Sequence, residues 1–107
     1  MNAPTPLMPV SISERALAEI ESAAMTFESL RPGHGPAFKF AVDAIFDAIA
    51  AHPRLYQRIG RNPAIRRAVL QRFGFVVVYH IGSETVTVLA VLSSRARQRG
   101  VLSPIQS

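Results

Sequence analysis

Cysteine is absent from this 107-residue chain, and its absence excludes a disulfide framework, a thiolate nucleophile and a cysteine-based zinc site. Long apolar runs are also missing. No stretch approaches the roughly 18 residues that a membrane span requires, so no membrane association is expected. Acids are scarce in the second half, where Glu84 stands alone, and no aspartate is available there to complete a triad with Ser93 or Ser94. His34, His52 and His80 are scattered, without His-x-x-x-His spacing or a neighbouring carboxylate pair, so neither a metal nor a cofactor is expected. Gly33-His34-Gly35 lacks the preceding strand and further glycines of a phosphate-binding turn and reads as a connection. Residues 1–9 have neither a basic n-region nor an apolar h-region and contain three prolines. They read as an extended lead-in, with the cytoplasm as the expected address.

What is present is arginine, unevenly placed. Nine of the eleven arginines lie between Arg54 and Arg99, so residues 54–107 carry a net charge of +8, while residues 1–53 carry −3. Guanidinium stays charged and offers a planar fork to carboxylate and phosphate, so this half favours an acidic or polyanionic partner. With 49% hydrophobic and 18% charged residues, the chain has the composition of one folded domain with a two-layer core.

The basic half also differs in its periodicity. After an extended stretch around Val10 and Ile12, Ser11 or Ser13 can cap a helix, with Ser11 and Glu14 at capping-box spacing. Leu17, Ile20, Ala24, Phe27 and Leu30 then recur at three and four residues as one apolar face, and the helix ends near Arg31. The cluster from Arg31 to Pro36 breaks the chain, and Pro36 suits the first turn of a second helix. In that helix Phe38, Val42, Ile45 and Ile49 mark the buried face, widened by Ala41 and Phe46, until His52-Pro53 stops it. From Leu55 onward short apolar runs alternate with turn residues. Leu55–Ile59 reads as a short strand or irregular approach, followed by strands over Ile65–Phe73, Phe75–Ile81 and Thr85–Ser93, the last two apolar on both faces. The expected fold class is α+β, an N-terminal helix hairpin packed on a small antiparallel sheet. The domain is expected to span residues 10–100, with 101–107 as a C-terminal tail.

This order resembles the RelE/ParE superfamily of toxins from bacterial type II toxin–antitoxin systems. The resemblance is carried by Ser11-Ile12-Ser13 running into Ala16-Leu17, by Ala51-His52-Pro53-Arg54 closing the second helix, and by Ile65-Arg66-Arg67 followed by Phe73-Gly74-Phe75-Val76-Val77-Val78-Tyr79. It is completed by Thr85-Val86-Thr87-Val88-Leu89-Ala90-Val91-Leu92 and the following Arg95. Two positions depart from the family pattern: Gly74 stands where a proline is usual, and Ser93 where a histidine is common. The resemblance implies a toxin restrained by an antitoxin whose C-terminal segment, often acidic and amphipathic, wraps the helices and sheet. The RelE branch cuts messenger RNA with Arg, Lys, His or Tyr residues near the C-terminus. This chain has no Tyr or His after His80, and its only lysine is Lys39. The ParE branch, which poisons DNA gyrase without such a base, fits better.

The expected target contacts are Arg66, Arg67, Arg72, Arg95, Arg97 and Arg99, and the expected antitoxin contacts are Leu17, Ile20, Phe27, Phe38, Val42 and Phe46. Strand alternation would put Arg66 and Arg72 on one face and Arg67 on the other, and would align Arg95, Arg97 and Arg99 if the last strand continues. Three other readings stand beside the gyrase poison. An mRNA endonuclease acting on ribosome or message would use Arg67, Arg72 and Arg95 for charge stabilisation and His80 for proton transfer. A decayed, non-toxic chain would only bind its antitoxin, and a general nucleic-acid-binding module would bind with strongly salt-dependent affinity.

Overall fold

Ser13 starts the first helix and ties it to the sheet. In the computed structural model, which describes residues 7–95, its hydroxyl accepts the Ala16 amide at 3.1 Å and donates to the Leu89 carbonyl at 3.1 Å, while its own amide donates to the Val88 carbonyl at 3.0 Å. The cap is therefore Ser13, and the Ser11–Glu14 spacing goes unused. In chain order the elements are β1 (Val10–Ile12), α1 (Glu14–Leu30), α2 (His34–Ala51), β2 (Gln57–Arg58), β3 (Ile65–Leu70), β4 (Phe75–Ile81) and β5 (Val86–Ser93). The five strands form one sheet in the order β1-β5-β4-β3-β2. The β3–β4–β5 meander is antiparallel as the sequence suggests, and β1 adds a parallel edge to β5, making the sheet mixed.

Both helices pack on one face. Ala16, Ile20 and Ala24 of α1 and Phe38, Val42, Phe46 and Ile49 of α2 bury themselves against Ala68, Leu70, Val77, Tyr79, Val86, Val88 and Val91. The stripe that α1 buries runs through alanines, whose small side chains let the helix axis lie close to the strands. Leu17 and Leu30, expected in that face, stand outside it at 51% and 75% exposure. On the opposite face of the sheet, Ile59, Ile65, Val76, Val78, Ala90 and Leu92 form a second, smaller cluster.

The connections have local physical causes. Glu28 reaches forward from α1 and accepts the amides of Gly33 (2.9 Å) and Gly35 (3.1 Å), supplying the anionic cap that the glycine at the start of α2 cannot. Gly35 lies close against α1, and a β-carbon there would fall 2.8 Å from the Ala24 carbonyl oxygen. β3 stops at Leu70 rather than at Phe73, because Gln71–Phe73 form a 3₁₀ turn closed by Gly74 at φ 67°. That positive φ explains why glycine, and not proline, stands at position 74. Between Val78 and Tyr79 the β4–β5 register shifts by one residue, leaving Leu89 as a bulge whose carbonyl meets Ser13. β5 ends at Ser93, and Ser94 and Arg95 take helical backbone.

The segment from His52 to Ala64, which contains β2, is fastened by two side chains. The Tyr79 hydroxyl donates to the Pro53 carbonyl at 2.6 Å. Arg66, the cross-strand neighbour of Tyr79, donates through Nη1 to the carbonyls of Arg54 (2.8 Å) and Tyr56 (2.9 Å) and through Nε to that of Pro63 (3.3 Å). Asn62 closes the following turn, its Oδ1 accepting the Ala64 amide at 2.9 Å. Burial pushes the Tyr79 phenol up to about 12; the Arg66 charge acts in the opposite direction, and Tyr56 adds to the rise.

Gly35→Ala should lower the melting temperature although alanine favours a helix by about 1 kcal/mol, because overpacking of this kind costs about 1–3 kcal/mol; thermal unfolding followed by circular dichroism measures the difference. Arg66→Ala should speed amide exchange at Ile59 and Ile65 by about tenfold or more, while amides in the centre of α2 keep theirs, as read by hydrogen–deuterium exchange. The raised Tyr79 pKa means that the unfolded chain loses this proton first. Its contribution to stability is thus complete below about pH 10 and declines as pH rises toward about 12. Tyr79→Phe should be less stable at pH 7 by about 1 kcal/mol and flatter across that alkaline window in denaturant titrations.

Candidate functional surfaces

The ion pairs among the described residues lie on the helices and not on the sheet side. Arg15 bonds Glu19 at 3.3 Å and Lys39 bonds Glu21 at 2.8 Å, and these are the only ion pairs among the described residues. Arg54, Arg58, Arg61, Arg72 and Arg95 are all exposed and belong to neither pair. These five arginines present their charge to solvent.

The structure divides the expected target arginines. Arg66 is committed to three backbone carbonyls and is first of all a fastener of the 52–64 segment. Arg67 points to the other face, where it grips the Gln57 Oε1 through Nε at 3.0 Å and Nη2 at 2.6 Å. Arg72 lies on the 3₁₀ turn and not on β3, so it shares no strand face with Arg66; its guanidinium carbon sits 5.0 Å from the centre of the Phe73 ring. Arg95 follows the end of β5 on helical backbone, which breaks the alternation expected for it, and Arg97 and Arg99 lie outside the described residues, as do positions 1–6 and the 101–107 tail. Arg54, Arg58 and Arg61 belong to this surface although their spacing singled out none of them. The signal available was the lack of any acid between His52 and Arg72.

Position along the sheet matters for chemistry. Arg72 and Arg95 lie at the β3–β4 turn end, where the Ser94 amide bonds the Gly74 carbonyl at 2.8 Å. His80 lies at the opposite end of β4, paired with Ile65 and Thr87 and five residues from Phe75, which at the rise of a strand is roughly 17 Å. Arg67 lies between, across from Val78. The four residues expected to serve an endonuclease are therefore not gathered around one point. Nor do any three His, Asp or Glu residues converge as metal ligands among the described residues, and no helix there is long and apolar enough to cross a membrane.

The expected antitoxin contacts also separate. Ile20, Phe38, Val42 and Phe46 are buried in the core and offer little free surface, since they are the residues joining the helices to the sheet. Leu17 is exposed, and Phe27 is half-buried, its ring packed on Phe38, Phe73 and Phe75 at centroid distances of 5.1, 5.2 and 5.8 Å. Phe27 also lines an open groove of about 460 Å³ between α1 and β5, together with Ala23, Thr26, Phe75, Val91 and Leu92. The groove exists because β1 pairs only with Val86–Val88. Beyond that point α1 serves the strand edge with side chains, Glu19 Oε1 accepting the Val91 amide at 2.8 Å.

Comparison with known proteins places this architecture. A solved structure from the chromosomal ParDE toxin–antitoxin system of P. aeruginosa superposes with a TM-score of 0.68 at 16% identity, covering 81% of this chain and 96% of that one. TrmO from P. aeruginosa superposes with a TM-score of 0.55 at 21% identity over 87% of this chain but only 36% of its own. These likenesses establish the fold. No curated protein matches the sequence. Residues 10–97 match the family described as the ParE toxin of the type II toxin–antitoxin system parDE, and the match covers both helices and all five strands. The chain belongs to the ParE toxin family of type II toxin–antitoxin systems.

Proposed function

We propose that this chain is a toxin that acts in the cytoplasm by binding DNA gyrase, without catalysis of its own, and that a cognate antitoxin restrains it. The observation that carries the non-catalytic reading is the separation of His80 from Arg72 and Arg95 along β4. Cleavage of RNA needs a base, an acid and charge stabilisation around one phosphate, and these side chains occupy opposite ends of the sheet. Exposed arginines in no ion pair among the described residues suit recognition of an acidic or phosphate-bearing surface instead.

The groove between α1 and β5 is the seat that best suits the antitoxin. It is lined mainly by apolar side chains and lies beside a strand edge that β1 leaves uncovered; its one charged lining residue, Glu19, is engaged with the Val91 amide, and Arg95 follows the lining Ser93 by two residues, so an amphipathic segment with acidic residues at its end suits it.

Brief induction without antitoxin, with DNA and protein synthesis pulse-labelled separately, should show DNA synthesis falling first, and purified chain should inhibit gyrase supercoiling. Earlier loss of protein synthesis with cleaved transcripts would replace this reading with the endonuclease, and no growth effect would indicate a non-toxic antitoxin binder. Thr26→Trp, which fills the groove from an exposed position on α1, should weaken antitoxin binding by about tenfold or more in calorimetry and leave supercoiling inhibition intact.

A further inference from the structure

The 52–64 segment combines rigidity with unused positive charge. Its backbone is held at Pro53 by Tyr79, at Arg54, Tyr56 and Pro63 by Arg66, and at Ala64 by Asn62, and Ile59 anchors it in the smaller apolar cluster. Irregular segments this firmly tied present their side chains from a fixed platform. From this one project Arg54, Arg58 and Arg61, all exposed and none in an ion pair or side-chain hydrogen bond among the described residues. Residues 1–6 and 96–107 contain no Asp or Glu.

The platform also has a concave seat. A pocket of about 280 Å³ is lined by Arg54, Pro63, Ala64, Arg66 and Ile81. Arg66 spends Nε and Nη1 on carbonyls, and its Nη2 makes no hydrogen bond among the described residues. Two guanidinium-bearing residues thus border one small hollow, one of them held in place by the fold, which is the arrangement that binds a phosphate oxygen pair. Tyr56, within the segment, is half-buried, its ring nearly perpendicular to that of Tyr79 at 6.4 Å, so the segment's exposed chemistry is dominated by its three arginines. Guanidinium groups on a fixed backbone suit the regularly spaced phosphates of a nucleic-acid backbone.

We propose that the 52–64 segment binds the phosphodiester backbone of duplex DNA, with a phosphate seated between Arg54 and Arg66 and its neighbours met by Arg58 and Arg61. This goes beyond the gyrase reading, since it concerns the nucleic acid and not the enzyme. Binding is independent of base sequence and follows counterion release, each neutralised phosphate adding about 0.9 to the slope of log affinity against log salt.

The test is fluorescence anisotropy of the whole chain with a labelled 20-base-pair duplex between 50 and 250 mM NaCl, in the absence of gyrase. The variant Arg54→Gln/Arg58→Gln/Arg61→Gln should bind about tenfold or more weakly at 100 mM NaCl and lose about 2–3 from the salt slope. The charge-matched control Arg15→Gln/Arg31→Gln/Lys39→Gln should stay within about twofold of the wild type. Far-ultraviolet circular dichroism and melting temperature check that each variant is folded, and a single Arg58→Gln variant with a smaller loss supports the proposal if the triple variant is not. Equal weakening by the control reduces the effect to net charge and overturns the proposal, as does tighter binding of single-stranded DNA or RNA of the same length. Absence of duplex binding while supercoiling inhibition persists overturns this inference and leaves the proposed function standing.

Discussion

The basic end of the molecule rests on two side chains that face each other across β3 and β4, Arg66 and Tyr79. Between them they fix the carbonyls of Pro53, Arg54, Tyr56 and Pro63, at distances from 2.6 to 3.3 Å. A thirteen-residue connection with only a two-residue strand in it would otherwise carry a large ordering cost and little burial to offset it. Here one guanidinium supplies three of its five donors to backbone acceptors, and a tyrosine buried in the core supplies a fourth bond from the side of the helices. The rise in the phenol's pKa reflects the same fact, since the neutral hydroxyl is the form that this buried place accepts. The exposed arginines of the segment owe their fixed positions to an arginine that does not itself belong to the outer surface.

Local rules in the sequence were sufficient for the elements that depend on local chemistry. The termination of α2 before Pro53, the proline in its first turn and the runs of β4 and β5 follow from steric and periodic constraints, and they are where the residues place them. Where two local readings compete, partners far along the chain decide. Ser13 caps α1 because Leu89 and Val88 lie beside it, which Ser11 and Glu14 could not announce. The helix face followed large residues, yet Ala16 and Ala24 make the contact because the sheet comes close, leaving Leu17 and Leu30 outside. The composition of β3 continues to Phe73, but the strand ends at Leu70, where the local turn closed by Gly74 begins.

The same distinction governs the functional residues. An arginine that bonds carbonyls, one that grips a glutamine and one that faces water are identical letters, and only the fold sorts Arg66, Arg67 and Arg54 into those three states. Large apolar residues of an amphipathic helix are likewise core or contact surface depending on what lies opposite. Of the six chosen for a partner, four are consumed in joining the layers. Charge asymmetry survived the passage from sequence to structure because it is additive and needs no register: both ion pairs among the described residues are on the helices.

Arginines and groove occupy the sheet in an order that bears on how one partner could affect another. Ser93 lines the groove, Arg95 lies two residues beyond it, and Arg72 is beside Phe73, whose ring packs against the groove-lining Phe27. A partner extending past the Ser93 end of the groove would come next to the arginines of the β3–β4 turn. Arg54, Arg58 and Arg61 lie toward the other end, with β2 on the far edge of the sheet from β1. Coulombic influence between exposed groups fades over about 10 Å at moderate salt, so an acidic partner in the groove neutralises its neighbours and leaves the distant platform charged. Covering the near arginines and covering the far ones are thus separate physical acts, and a partner long enough to do both would have to cross the sheet rather than simply fill the groove.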